Sequence, residues 1–364
     1  MADRTNPLLL LLLVICPTLW SVSVHASSAC STPKGAPGVC VPVRNCMYVR
    51  DFIAMPSHRF QDTDYLEGLK CSATNETDPL LVCCPRLLSE PNCGPMVGFG
   101  TRIYGGDNSV IAEFPWLALL RFRARNGKLY MSCAGSLINR RFVLSAAHCF
   151  TAAKKKFQVL DSVRLGEWNF KNHRGRSDCK SVGDRRVCRK DYQVVRATLY
   201  PEYAVNVAAH LHDIALIELV GEVELNEFVA PICLPRSLVE DAPAEYMAAG
   251  WGATSAESDS MTHVLQKIQL NQFDKERCRK AYPVPDDNGI GEGHICAGGI
   301  EGQDTCHGDS GGPLMESLDG VWYLAGITSF GWLSCGKQGV PGVYTNVSHY
   351  LDWLGFEVFR GSYV

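Results

Sequence analysis

The sequence predicts a mainly β chain: a β-barrel fold ending in one helix and preceded by a small disulfide-knotted module. Three observations carry this reading. From Ile103 onward, short apolar runs are separated by turn residues, the pattern of barrels and sandwiches. Near the C-terminus, Val347, Tyr350, Leu351 and Leu354 recur at helical spacing. Six cysteines, Cys30, Cys40, Cys46, Cys71, Cys83 and Cys84, crowd into residues 30–84. A block that small buries too little apolar surface to be secure alone, so disulfides are its expected staples. Their pairing is not fixed by the cysteine positions alone.

The elements follow in order. Residues 116–123 are an apolar run, Asn126-Gly127 marks a hairpin turn, and residues 130–138 return. Residues 142–145, 214–220, 264–270 and 321–329 are further short strands. Residues 85–102 carry Pro, Gly and Ser without periodicity and read as a linker. The expected division is a leader over residues 1–26, a cysteine-rich module over 27–84, the linker over 85–102 and a β domain over 103–364.

Composition narrows the class. The 364 residues are 46% hydrophobic, enough for a core. The 35 Lys and Arg against 38 Asp and Glu argue against a dedicated nucleic-acid binder. Arg4 precedes an apolar run from Leu8, and Val24-His25-Ala26 offers small residues where a signal peptidase reads. That run is shorter than the ~20 residues a spanning helix needs, so a secreted chain without a membrane anchor is expected. Removing Cys16 with the leader leaves 16 of the 17 cysteines, an even number. Asn75-Glu-Thr and Asn346-Val-Ser are glycosylation sequons; Asn346 alternatively caps the terminal helix.

Three motifs carry chemistry: His148 beside Cys149, Asp213 heading an apolar strand, and Ser310 in Gly308-Asp309-Ser310-Gly311-Gly312. A serine hydroxyl is a weak nucleophile until a base takes its proton. A neutral imidazole serves if a carboxylate fixes its tautomer and stabilises the cation. Glycines let backbone N–H groups converge on a developing oxyanion. Each motif alone is weak, because a lone histidine is usually structural and an Asp before a strand usually belongs to a turn. Together, in the order His, Asp, Ser, they make chance a poor explanation.

With these motifs the chain resembles the chymotrypsin-like serine peptidases from Ile103 to about Arg360. The resemblance implies two six-stranded barrels with the active site between them. It implies His148 as general base and acid, Asp213 as its orienting group and Ser310 as nucleophile, with the Gly308 and Ser310 N–H groups as oxyanion hole. Ser329-Phe330-Gly331 is similar to the segment that pairs with substrate backbone, with Phe where Trp is commoner. Asp304, six residues before the nucleophile, matches the base of the primary pocket, and Gly331 and Gly342 match its open walls. Cleavage after Arg or Lys is therefore expected. Arg102-Ile103-Tyr104-Gly105-Gly106 resembles an activation site whose cleavage frees an Ile103 amine to pair with Asp309. Pro341 stands where sodium-activated relatives carry Tyr, so sodium activation is not expected.

The N-terminal block resembles the clip domain of extracellular arthropod proteases. That resemblance implies the pairs Cys30–Cys83, Cys40–Cys71 and Cys46–Cys84. In the protease portion it implies Cys133–Cys149, Cys278–Cys296, Cys306–Cys335 and Cys93–Cys233, leaving Cys179 and Cys188 to close a loop. It further implies a zymogen in a haemolymph cascade of immunity, melanisation or patterning. Such a zymogen acts on a protein substrate, answers to an upstream activating protease and is checked by serpins. The competing readings are a digestive trypsin, which needs no tethered module, and an inactive homologue acting as cofactor or adhesion protein, a class that typically lacks the serine. The clip block as a passive spacer is the bland alternative.

The family also places a calcium loop near Glu167, which matches its first acidic ligand. The later acid has no counterpart, and eight basic residues stand between Lys171 and Lys190 against Asp178 and Asp184. That charge disfavours a bound cation, so no cofactor is expected. The same loop reads either as a solvated segment or as an exosite for acidic protein substrates.

Overall fold

The computed structural model describes residues 29–33, 37–46, 49, 60–71, 81–85, 89–96, 107–170, 179–182, 185–204, 210–235, 244–253, 261–282, 289–302, 304–306, 308–331 and 335–361. The leader, Asn75, Arg102 and Ile103 lie outside the described residues.

In the N-terminal module, β1 (Ala29–Ser31), β2 (Pro37–Pro42) and β3 (Leu81–Pro85) form a three-stranded antiparallel sheet beside helix α1 (Phe60–Gly68). Disulfides Cys30–Cys83, Cys40–Cys71 and Cys46–Cys84 close it. Its core is largely those sulfurs, with Val49, Leu69 and Val82. The module does not stand alone. Tyr65 and Leu66 of α1 pack on the main hydrophobic core, with the Tyr65 ring edge-on to Phe356 at 5.3 Å.

Residues 89–96 are not a loose linker. Cys93 is bonded to Cys233, Gly94 donates to the Pro231 carbonyl at 2.8 Å, and Trp322 donates to the Gly94 carbonyl at 3.0 Å. The absence of periodicity was a poor guide here, because the segment is held by partners far away in sequence.

The β domain begins with a closed six-stranded barrel. Its strands are β5 (Leu117–Ala124), β6 (Leu129–Leu137), β7 (Phe142–Ser145), β8 (Gln158–Leu165), β11 (Lys190–Leu199) and β12 (Ala215–Leu219). Between β8 and β11 lie the short paired strands β9 (Cys179–Val182) and β10 (Arg185–Cys188). Cys188 is disulfide-bonded and stands opposite Cys179 in register.

The second half departs from a closed barrel. It is a seven-stranded sheet in which β4 (Asp107–Asn108) edges β14 (Gln266–Asn271), followed by β13 (Glu245–Gly250), β16 (Pro313–Leu318), β17 (Val321–Phe330), β18 (Pro341–Asn346) and β15 (His294–Gly298). Among the described residues, the bridge Gln272 to Ala297 links the end of β14 to β15. The Phe273 N–H adds a bond to the Cys296 carbonyl at 2.9 Å before helix α3 (Lys275–Ala281) begins, which Asp274 caps by accepting the Arg277 N–H.

Among the described residues, α1, α3 and α2 (His148–Lys155) join the expected terminal helix. The terminal segment is a 3-10 turn at Val347–Tyr350 running into α4 (Leu351–Gly361). Asn346 precedes that turn but does not cap it; its side-chain amide donates to the Glu292 carbonyl instead. Among the described residues no helix is long and apolar enough to cross a membrane.

Candidate active site

Helix α2 starts at His148, and its first turn offers N–H groups that need acceptors. Asp213, from the head of β12, supplies one. The His148 N–H donates to Asp213 Oδ1 at 2.8 Å, and the His148 Nδ1 lies 2.7 Å from Oδ2. Ser329 Oγ also donates to Oδ2, and Thr345 Oγ1 donates to the Asp213 carbonyl at 2.8 Å. The carboxylate is fully buried. Burial pushes its pKa up, but the His148 imidazole and the N–H and O–H donors outweigh burial and hold it below the usual range. The converse holds for His148. Burial opposes its charge, yet the Asp213 carboxylate raises its pKa. With Nδ1 engaged by Asp213, Nε2 lies 3.9 Å from Cys149 Sγ, and the Cys133–Cys149 bond ties this turn to β6.

Ser310 reaches the same place from the other half. Its carbonyl accepts the Ala134 N–H at 2.8 Å, and the Ala134 carbonyl accepts Ser145 Oγ at 2.7 Å, three residues before His148. No hydrogen bond joins Ser310 Oγ to His148 Nε2, a contact that often tightens only with substrate present. Gly308 has φ 106°, and a Cβ there would sit 3.0 Å from Gly252 Cα. Only glycine fits this turn, two residues before Ser310.

Asp304 and Asp309 are buried acids of a different kind. Asp304 accepts the Gly336 N–H at 3.3 Å, while its Oδ1 is buried with no partner. Burial pushes its pKa up to about 6 despite the backbone donors. Gly342 lies against it, and a Cβ there would stand 2.9 Å from Asp304 Oδ1; a Cβ at Gly331 meets open space. Asp309 accepts from Gly252 N at 2.7 Å and Cys306 N at 3.0 Å, and burial pushes it up to about 6 as well. The loop around Asp304 is clamped by Cys306–Cys335, and α3 by Cys278–Cys296.

Several partners escaped the sequence reading. The hydroxyls of Ser329 and Thr345 serve Asp213 across strands that motif spacing cannot connect. Phe330 stacks on His210 at 4.8 Å and meets Tyr282 edge-on at 5.5 Å. Glu167 does not fit a calcium site. Its side chain is fully buried and takes Arg189 Nη1 at 2.7 and 3.0 Å and Arg164 Nη1 at 3.1 Å. Two guanidinium groups already supply the positive charge a metal would bring. Arg189 is thereby removed from the basic loop; the side chains of residues 171–187 lie outside the described residues.

A buried histidine–carboxylate pair on the first barrel and a serine in a glycine turn of the second half are the features expected of a chymotrypsin-like serine endopeptidase. Comparison with known families agrees. The "Trypsin" family matches residues 103–354, and "Regulatory CLIP domain of proteinases" matches residues 30–84. The chain is 56% identical over 345 residues to CLIP domain-containing serine protease B14 of Anopheles gambiae, covering 91% of this chain and 92% of that one. It is 33% identical to the Spaetzle-processing enzyme of Drosophila melanogaster, covering 97% and 98%. Against Melanization protease 1 of the same fly it is 31% identical, covering 92% and 96%. The protein belongs to the clip-domain serine proteases.

Proposed function

We propose that this endopeptidase is a secreted zymogen that, once cut after Arg102, cleaves a protein substrate after Arg or Lys. The observation that carries the specificity is Asp304, a buried carboxylate beside Gly342 whose Oδ1 has no hydrogen-bond partner among the described residues. An apolar side chain would leave that oxygen unpaired, whereas a guanidinium or ammonium satisfies it.

In this reading Ser310 Oγ attacks the scissile carbonyl carbon while its proton passes to His148 Nε2. The oxyanion forms against the Gly308 and Ser310 N–H groups. The imidazolium, stabilised by Asp213, returns the proton to the leaving amine, and water then hydrolyses the acyl-enzyme by the same steps. The freed Ile103 amine supplies the cation that buried Asp309 lacks. No calcium is required, because Arg189 and Arg164 occupy Glu167.

The name of the Spaetzle-processing enzyme supports a protein substrate; a downstream zymogen or cytokine precursor as that substrate, an upstream activating protease and serpins complete the proposed set of partners. Haemolymph is the proposed site of action. Asn75 is the better glycan acceptor, since the Asn346 amide is already engaged. The test is a library of fluorogenic peptides offered to the full chain after cleavage at Arg102. Hydrolysis confined to Arg and Lys is expected, and efficient cleavage after Phe or Leu overturns the reading.

A further inference from the structure

The first barrel presents a patch that the catalytic reading leaves unused. Between Leu117 and Leu165 the chain carries ten Lys and Arg and a single carboxylate, Asp161. Half of those cations have acidic partners or lie elsewhere. Arg121 and Arg164 meet Asp191, Arg141 meets Glu218, Arg123 meets Asp161, and exposed Arg140 sits in the turn between β6 and β7. The other half, Arg125, Lys128, Lys154, Lys155 and Lys156, are exposed and face no carboxylate among the described residues. They converge because β5 pairs with β8, setting Ala124 opposite Gln158. The tip of the β5–β6 hairpin is thus brought against the end of α2.

Apolar surface lies in their midst. Phe157 is 62% exposed and Val159 68% exposed, with the Arg125 guanidinium 4.2 Å above the Phe157 ring. Lysines at a helix C-terminus are ordinary, since they complement the helix dipole. Phe157 is not ordinary. It follows the helix cap at Lys156 with φ 56°, the left-handed position that glycine or asparagine normally fills. A bulky aromatic is strained there, and it buries little in return.

We infer that this patch is a docking surface for an acidic segment of the protein substrate that also carries an apolar side chain. The segment lies just beyond the scissile bond. Glu and Asp side chains answer the unpaired cations, and the apolar side chain lies on Phe157 and Val159. The direction follows from the site. A substrate whose Arg or Lys enters the Asp304 pocket of the second half continues past His148 onto the first barrel. Helix α2 runs from His148 straight to the patch, and at ~1.5 Å per residue Lys154–Lys156 lie about 10 Å away. At ~3.3 Å per residue, an extended peptide covers that in about three to four residues. This surface is separate from the basic loop at residues 171–187, and the inference rests on the protein-substrate reading above.

The test uses the activated full chain and two fluorogenic substrates. One is a short Arg peptide; the other is the same peptide extended past the scissile bond by a Glu-rich segment containing Phe. The extension is expected to raise kcat/KM about tenfold at low salt, fading as salt screens exposed charges. The K154E/K155E/K156E variant is expected to lose that gain while cutting the short peptide within about twofold of wild type. Phe157→Gly, which suits the left-handed position and so preserves the fold, is expected to lose part of it. No gain from the extension, no loss in the charge-reversed variant, or equal losses on both substrates overturns the inference. Anisotropy of a labelled Glu/Phe peptide lacking Arg or Lys reports on the patch separately. Binding that the charge reversal abolishes supports docking even if the cleavage reading fails, and absent binding overturns it.

Discussion

The two halves of the cleft treat their buried carboxylates differently. In the first barrel each is answered from within the chain. Asp213 has His148 and Ser329, Glu167 has Arg164 and Arg189, and Glu218 has Arg141 and Arg196. In the second half, Asp304 and Asp309 receive only backbone N–H groups among the described residues, and burial pushes both to about 6. The first half, which positions the proposed base, is therefore complete as folded. The second is built around two positions where a cation from outside the described structure is stabilising. In the proposed function, a substrate Arg or Lys supplies one cation and the Ile103 amine the other.

The largest effect tests the complete half. Asp213→Asn removes the negative charge and reverses one hydrogen bond, so kcat on an Arg peptide should fall roughly 10⁴-fold. The pH profile should move with it. His148 is held above its usual value by Asp213, so the pair's stabilisation is full below the unfolded value and lost as pH rises through the raised one. Activity needs the neutral ring and rises over that same interval in the wild type. In the variant the acid limb should shift to lower pH. A loss under tenfold with an unmoved limb would break the comparison.

Next is the incomplete half. Asp304→Ser should cost Arg and Lys substrates roughly two to three orders of magnitude in kcat/KM, the ~3–5 kcal/mol expected when one partner of a buried ion pair is removed. The sign of the pH effect is opposite to that of a paired acid. With folded pKa values raised to about 6, Asp304 and Asp309 contribute stability below the ordinary carboxylate value that is lost as pH rises through about 6. A small amidinium ligand should therefore raise the Tm of the activated wild type at pH 7.5 more than at pH 5. It should do nothing for Asp304→Ser. Equal shifts at both pH values would show that the carboxylate is already satisfied.

How much of this was legible depended on whether the signal was local. His148, Asp213 and Ser310 sit in contiguous motifs, and Asp304 is read by its distance from Ser310. The strands at residues 117–124, 129–137 and 142–145 announce themselves by apolar runs and one Asn-Gly turn. The residues that answer Asp213 from behind, Ser329 and Thr345, lie on β17 and β18, and only the tertiary fold brings them there. Arg189 looked like one more charge in a basic loop until β8–β11 pairing set it on Glu167. In the second half, the contacts that link β14 to β15, the Gln272–Ala297 bridge and the Phe273 N–H to the Cys296 carbonyl, fall on two residues just past β14, before Asp274 caps α3.

Glu167 gives a smaller and sharper test of the complete half. Arg189→Gln leaves a buried carboxylate with one cation fewer, and should cost about 3 kcal/mol. For a domain of this size that is roughly a 6–12 °C drop in Tm. Chelation by EDTA should leave the wild-type Tm unchanged, and terbium should give no luminescence sensitised by neighbouring Trp168. A chelator-dependent Tm would mean that the first barrel, too, depends on a cation from outside.

The smallest effect concerns whether the first half is self-contained when its neighbour is disturbed. Tyr65 of the clip module touches Phe356 on α4. On the same terminal segment, Trp353 and Tyr350 pack edge-on against Tyr200, which stacks on His212, the residue before Asp213. Ring contacts thus run from the clip to Phe356 and, along the same terminal segment, from Trp353 and Tyr350 through Tyr200 to His212, the residue before Asp213. Asp213 itself, however, is fixed by four hydrogen-bonding groups that do not belong to that line: the His148 N–H, the His148 ring, Ser329 and Thr345. Tyr65→Leu keeps most of the apolar area and removes the edge-to-face ring contact, about 0.5–1.5 kcal/mol. The expected result is a Tm lower by roughly 1–6 °C with kcat/KM on a short Arg peptide within about twofold of wild type. If kcat falls while the Tm holds, the ring line transmits the clip's position to Asp213, and the first half is not complete on its own.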